Sequence, residues 1–160
     1  MAVLVPVRIH MGQLPTGGLL REHGLDELYG PLVAAFRTGH LGNFDKELAR
    51  TQAAHFKLGT YLLVERAALL VQRNLVRRCA YAAGKKTAKS RLVPIVAVQV
   101  AYQWAGRHLS VGEVECMLAN LIYCRLVGGK VAHAHGKLVL AATKGKDFPI
   151  GGTFWPVRVG

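Results

Sequence analysis

The chain has 160 residues, a net charge of +12, three cysteines and 51% hydrophobic residues. That is enough apolar content for one domain, or two small packed subdomains, with a real core. An odd set of three cysteines excludes a disulfide framework and points to a reducing compartment, and no apolar run approaches the length of a membrane span. The charge is lopsided: residues 1–65 carry six basic and six acidic side chains, and no acid occurs between Arg66 and Gly112. Such a surface implies an acidic partner, namely nucleic acid or an acidic polypeptide, with an anionic membrane a distant third.

The first residues, AVLVPVRIHMG, lack the basic lead and cleavage site of a signal peptide. They are expected to be the last turns of an amphipathic helix whose beginning is missing, as in a fragment of a longer protein. A short helix is predicted from Pro15-Thr16 to His23, closed by Gly24. Asp26 is placed to cap the next, with Leu28, Leu32, Val33 and Phe36 inward and Gly39 as its stop. Pro31 must then fall in the first turn or bend the helix. Asn43 is predicted to cap a helix with Asp45 and Glu47 in its first turn and Lys57 in its last, matching the macrodipole, before Gly59. Short helices with glycine stops are the grammar of a helical-repeat array, although no strict repeat period is visible.

Residues 61–83 form a longer helical pattern, with a break expected near Asn74 and an apolar side of Leu62, Leu63, Leu69, Leu70, Leu75, Val76 and Cys79. Arg66, Arg73 and Arg77 recur at i, i+7 and i+11, with Arg78 beside them. The following loop adds Lys85, Lys86, Lys89 and Arg91, making one contiguous basic block. Residues 94–106 are ambiguous. Val96, Val98, Val100, Tyr102 and Trp104 alternate as in a strand, whereas Pro94 and Gly106 bracket a helix. A helix is predicted, because the next segment needs one before it.

That segment, residues 110–142, is the most legible. Ser110 and Glu113 form a capping box. Val114, Met117, Leu118, Leu121 and Ile122 follow at the spacing of one buried stripe, and Gly128 and Gly129 are expected to end the helix. Strands at 130–134 and 137–142 are joined by a tight His135-Gly136 turn. A capped helix running into a β-hairpin is the second half of a winged helix. The predicted architecture is therefore mainly α, with short helical-repeat hairpins over 1–65, a winged-helix part over 66–145 and an irregular tail over 146–160. In the tail Phe148, Phe154 and Trp155 are candidates to dock back.

No catalytic constellation emerges. The only serines are Ser90, in the basic loop, and Ser110, a cap. Around Gly84, Lys85, Lys86 and Thr87 a phosphate-binding loop fails, since Cys79 stands where its first Gly would be and Lys86 where Ser or Thr would be. Cys116 and Cys124 are two helical turns apart, about 12 Å, too far to share one zinc. Together with His133 and His135 they are expected to be buried thiols and two same-face strand histidines, and no cofactor is expected. The Ser110 helix offers Glu113, Glu115, Asn120 and Tyr123 outward, and carboxylates repel phosphates, so base reading by this helix is disfavoured. The nucleic-acid candidates are Arg73, Arg77, Arg78, Lys85, Lys86, Lys89 and Arg91, with Lys130 and Lys137 on the hairpin, where contact would be to the backbone and salt-sensitive.

Residues 114–142 also resemble the end of the PCI domain in the PCI domain-containing protein 2 family. The likeness runs through Cys116, Leu118, Ala119, Asn120, Leu121, Ile122 and Tyr123, then Gly129, His133, His135, Lys137, Leu138 and Val139. Looser similarity lies at Met11, Gly12, Pro15 and Thr16, at 59–62, and at Arg73, Asn74 and Leu75. The resemblance implies helical hairpins ending in a winged helix, and a non-enzymatic scaffold subunit of a nuclear, pore-associated complex that couples transcription to mRNA export. It implies pairing with a GANP-type PCI scaffold, a small acidic Sem-type subunit, and non-specific contact with RNA or DNA, but no membrane. Glu115, Asn120, Tyr123, His133 and His135 are the candidates for partner binding. The chain departs from the family pattern in lacking the N-terminal part of the superhelix and in a more basic 84–93 loop. Two alternatives stay open: a winged-helix DNA-binding regulator, and a PCI subunit of a signalosome-like or proteasome-lid-like complex.

Overall fold

The computed structural model describes residues 2–84, 92–141 and Phe148. Six helices form the first part: α1 (Leu4–His10), α2 (Gly17–Glu22), α3 (Asp26–Thr38), α4 (Leu41–Lys57), α5 (Tyr61–Arg66) and α6 (Ala68–Gly84). Among the described residues no helix is long and apolar enough to cross a membrane. α1 buries Val5, Pro6 and Ile9 and rests on α5. Thr16 caps α2, its side chain accepting from Leu19 N–H at 3.3 Å.

α3 and α4 form a hairpin through Gly39, whose φ of +75° ends α3 in the left-handed conformation. Tyr29, Leu32 and Phe36 of α3 meet Leu41 and Phe44 of α4 in a fully buried layer. Two expectations are corrected here. Asp26 is the first helical residue rather than the cap, and α4 is capped by His40, whose Nδ1 accepts from Asn43 N–H at 3.2 Å. Pro31 lies in the middle of α3 and deprives the Glu27 carbonyl of its helical donor. Arg50 of α4 supplies the replacement, its Nη2 donating to that carbonyl at 2.7 Å.

The break in the long helical pattern falls at Ala67, not at Asn74. Asn74 is helical, and its side-chain amide donates to the Phe36 carbonyl at 2.9 Å, tying α6 to α3. The burial stripe is Val64, Ala67, Val71, Leu75 and Val76, and Leu62 is exposed.

From α6 onward the order is β1 (Leu92–Pro94), α7 (Ile95–Trp104), α8 (Val111–Tyr123), β2 (Gly129–Ala132) and β3 (Lys137–Leu140). The sheet is antiparallel with order β1-β3-β2. With α6 ahead of β1, this is a complete winged helix. β1 was not foreseen: three residues ending in proline carry little strand signal, and proline is tolerated because β1 is an edge strand. Pro94 also serves as the N-cap of α7.

The capping box of α8 is present as predicted, and Val114, Leu118 and Leu121 are fully buried, with Met117 and Ile122 at the margin. α8 is not ended by glycine. It stops at Tyr123, and Arg125 takes the positive φ of 57°. Gly129 answers a different need, since a Cβ there would collide with the Val139 carbonyl of β3. The hairpin turn is wider than expected, a 3-10 turn over His133–His135 closed by Gly136 at φ +56°.

One core runs through both parts, from Phe36 and Phe44 to Val98, Tyr102, Leu118, Leu126 and Leu138. Each such aliphatic side chain contributes about 1.5–3 kcal/mol on burial. The two parts are also joined by polar contacts at the α4 and α7 ends. Gly42 N–H donates to the Ala105 carbonyl at 2.8 Å, and Arg107 pairs with Asp45 at 2.8 Å.

Candidate interaction surfaces of the winged helix

The predicted basic stripe is redistributed by the fold. Because the helix breaks at Ala67, Arg66 sits on α5 and is not aligned with the arginines of α6. Arg73 lies on the inner side of α6 beside Val71 and Leu75 and is only 8% exposed. Its Nη2 donates to the Phe148 carbonyl at 3.0 Å and its Nη1 to Asn74 Oδ1 at 3.0 Å, so it holds the tail rather than facing solvent. Phe148 is buried, as expected for a docking residue, while Phe154 and Trp155 lie outside the described residues.

Arg78 is exposed, its Nη1 donating to the Thr38 carbonyl at 2.8 Å, and Arg77 is half-buried over the Tyr81 ring. Lys85, Lys86, Lys89 and Arg91 lie outside the described residues. Lys130 and Lys137 are both exposed. Lys130 stands opposite Val139, and Lys137 opposite Ala132 and Pro94. Cross-strand partners share a face, and Val93, Val131 and Leu138 point the other way, so both lysines lie on the outer face of the sheet.

The partner candidates lie along α8, from Glu115 to Tyr123, and in the wing turn. His133 Nδ1 donates to Glu115 Oε2 at 2.7 Å, bridging turn and helix. Asn120 and Tyr123 are exposed on the same helix, and His135 is exposed in the turn. The histidines are therefore turn residues, not strand residues on one face. The thiols are not all buried either: Cys116 is exposed, and Cys124 is half-buried with Sγ 3.8 Å from Asn120 Oδ1. α8 carries no Lys or Arg from Val111 to Tyr123. Glu113 is held below the usual carboxylate range by hydrogen bonds from the Ser110 side chain and backbone. A helix presenting ionised carboxylates and no cation is poorly matched to the major groove.

Sequence reasoning missed one surface. Val96, Val100 and Trp104 fall at i, i+4 and i+8 on the outward face of α7 and are 59%, 57% and 57% exposed. Its inward face is Ile95, Val98 and Tyr102, all buried. The helix is thus apolar on both sides, which is why its valines alternated like a strand. A helix apolar all round is normally covered all round. Among the described residues the outward stripe is open, with the His40 ring against Trp104, 4.9 Å between centroids.

No protein-family model matches the chain. Among known proteins, it is 36% identical over 141 residues to the PCI domain-containing protein 2 homolog of Caenorhabditis briggsae, a match covering 88% of this chain and 33% of that protein. It is 36% identical over 149 residues to the Protein CSN12 homolog of Gibberella zeae, covering 86% of this chain and 33% of that protein. The PCI domain-containing protein 2 homolog of Drosophila melanogaster is 33% identical over 147 residues, covering 91% of this chain and 35% of its own length. The chain thus spans about a third of the length of the curated relatives it matches. These relatives, together with the helical hairpins ending in a winged helix, show that the chain belongs to the PCI domain-containing protein 2 family.

Proposed function

We propose that this chain acts within a non-enzymatic scaffold subunit of a transcription-coupled mRNA-export complex, in the nucleus and at the nuclear pore. In this reading the winged helix pairs with a GANP-type PCI scaffold, a small acidic Sem-type subunit completes the assembly, and the basic surface touches RNA or DNA without reading bases. The observation that carries it is the open apolar stripe of α7. Val96, Val100 and Trp104 on one helix face give a partner apolar area to bury. Tyr123, Asn120 and the Glu115–His133 bridge on α8 and the wing add polar groups of the kind found at interface rims.

The test is recovery of partners from cell extract on the wild-type chain and on a Val100→Asp/Trp104→Glu variant. Both positions are exposed, so the variant should keep its circular dichroism and unfolding midpoint. Loss of a GANP-type partner from the variant alone is the expected result. Equal recovery by both would remove α7 from the interface. Recovery of a deubiquitinating assembly instead would assign the subunit to a signalosome-like or proteasome-lid-like complex.

A further inference from the structure

We propose that the basic surface takes single-stranded nucleic acid, with an unpaired base stacking on Tyr81; this rests on the nucleic-acid contact proposed above and adds to it the strandedness of the ligand. Tyr81 lies in the last turn of α6 and is 54% exposed. The Arg77 guanidinium carbon, one helical turn back, is 5.4 Å from the ring centroid. Arg78, three residues before Tyr81, is exposed and steadied at the surface by its bond to the Thr38 carbonyl. No acid occurs in the sequence from Arg66 to Gly112.

An aromatic face beside fixed guanidinium groups binds two different things. The cations neutralise phosphates of any nucleic acid, whereas the ring gains only from a base whose own face is free. Bases in a duplex stack on each other, so the ring has nothing to engage there. The other usual route to a duplex, a helix in the major groove, is disfavoured in this fold because α8 offers Glu113 and Glu115 and no cation. Arg77 over the ring adds a cation–π contact that holds both groups in place before the ligand arrives. The combination favours an unpaired strand over a duplex of equal length.

The experiment measures binding of a short single strand and of its duplex to the wild type, Tyr81→Ala and Tyr81→Phe. A 2-aminopurine base in the strand reports stacking by fluorescence quenching. The wild type should prefer the single strand, Tyr81→Ala should lose about tenfold of that affinity with its duplex binding unchanged, and Tyr81→Phe should retain it. Quenching should persist with Tyr81→Phe and vanish with Tyr81→Ala, while circular dichroism confirms that all three chains are folded. Single-strand binding undiminished in Tyr81→Ala, or a parallel loss on both ligands, overturns the stacking assignment and leaves the nucleic-acid contact standing. Failure of the wild type to bind either ligand removes that contact, and the stacking proposal with it.

Discussion

Gly39 and Gly24 both adopt a left-handed φ, +75° and +64°, yet only Gly39 is crowded, its position for a Cβ lying 2.8 Å from Leu75 N and 2.9 Å from Leu75 Cα. Gly24→Ala should therefore cost only the conformational penalty, about 1 kcal/mol, whereas Gly39→Ala adds a backbone clash between α3 and α6, for about 3 kcal/mol in all. Urea unfolding of the pair checks this, and equal losses would show that the close approach carries no energy. His55 is wholly buried, Nδ1 lying 3.0 Å from Thr60 Oγ1, and burial lowers its pKa below the ordinary 6.5. The unfolded chain then takes up the proton first. Stability is complete above pH 6.5 and is lost as pH falls below it toward the folded value. His10 is shifted the same way, chiefly by burial, and contributes to the same decline. The midpoint in urea should drop on acidification through that window, and His55→Gln should flatten the decline. At this scale the sequence was legible where the chemistry is local, as in the Ser110–Glu113 box. It was opaque for Arg73, because an arginine on an α-helix looks the same whether it meets solvent or the carbonyl of Phe148.

Among elements, α8 was read best because its signals agree: a cap, one apolar stripe and a hairpin after it. Ser110 Oγ accepts from Glu113 N–H at 3.4 Å and Glu113 Oε2 accepts from Ser110 N–H at 2.7 Å. Ser110→Ala should destabilise by about 1 kcal/mol. Because the two groups act as one unit, adding Glu113→Ala should cost less than the sum of the single losses. A double-mutant cycle by thermal unfolding measures that coupling, and strict additivity would mean that the reciprocal cap contributes nothing. Three boundaries were read less well for one shared reason: the real caps and stops came from residues of weak propensity. His40 caps α4 with an imidazole nitrogen, Arg125 supplies the left-handed turn after α8, and Ala67 separates α5 from α6. In α7 the two apolar faces, one for the core and one open, erased the helical period altogether.

For the whole molecule, the order of helical hairpins followed by a winged helix was legible, because glycine stops and apolar stripes are repeated many times and a few wrong boundaries do not change their sum. The distribution of charge was legible too, but only as a total along the chain. Folding sorts it, turning Arg73 inward while leaving Arg77 and Arg78 on α6 and Lys130 and Lys137 on the outer sheet face. The consequence is a prediction about salt. Each phosphate neutralised on a single strand adds about −0.7 to the slope of log affinity against log salt. The four described cations alone would give a slope of about −3, so that affinity falls about fiftyfold for a fourfold rise in salt. Neutralising Arg77 and Arg78 together with glutamine should bring the slope toward zero by about 1.4, whereas Arg73→Gln should destabilise the fold and leave the slope of the folded chain unchanged. Fluorescence anisotropy across a salt series separates the two. If Arg73→Gln flattened the slope as much as an exposed arginine does, the inward placement of its guanidinium would not describe the chain that binds nucleic acid.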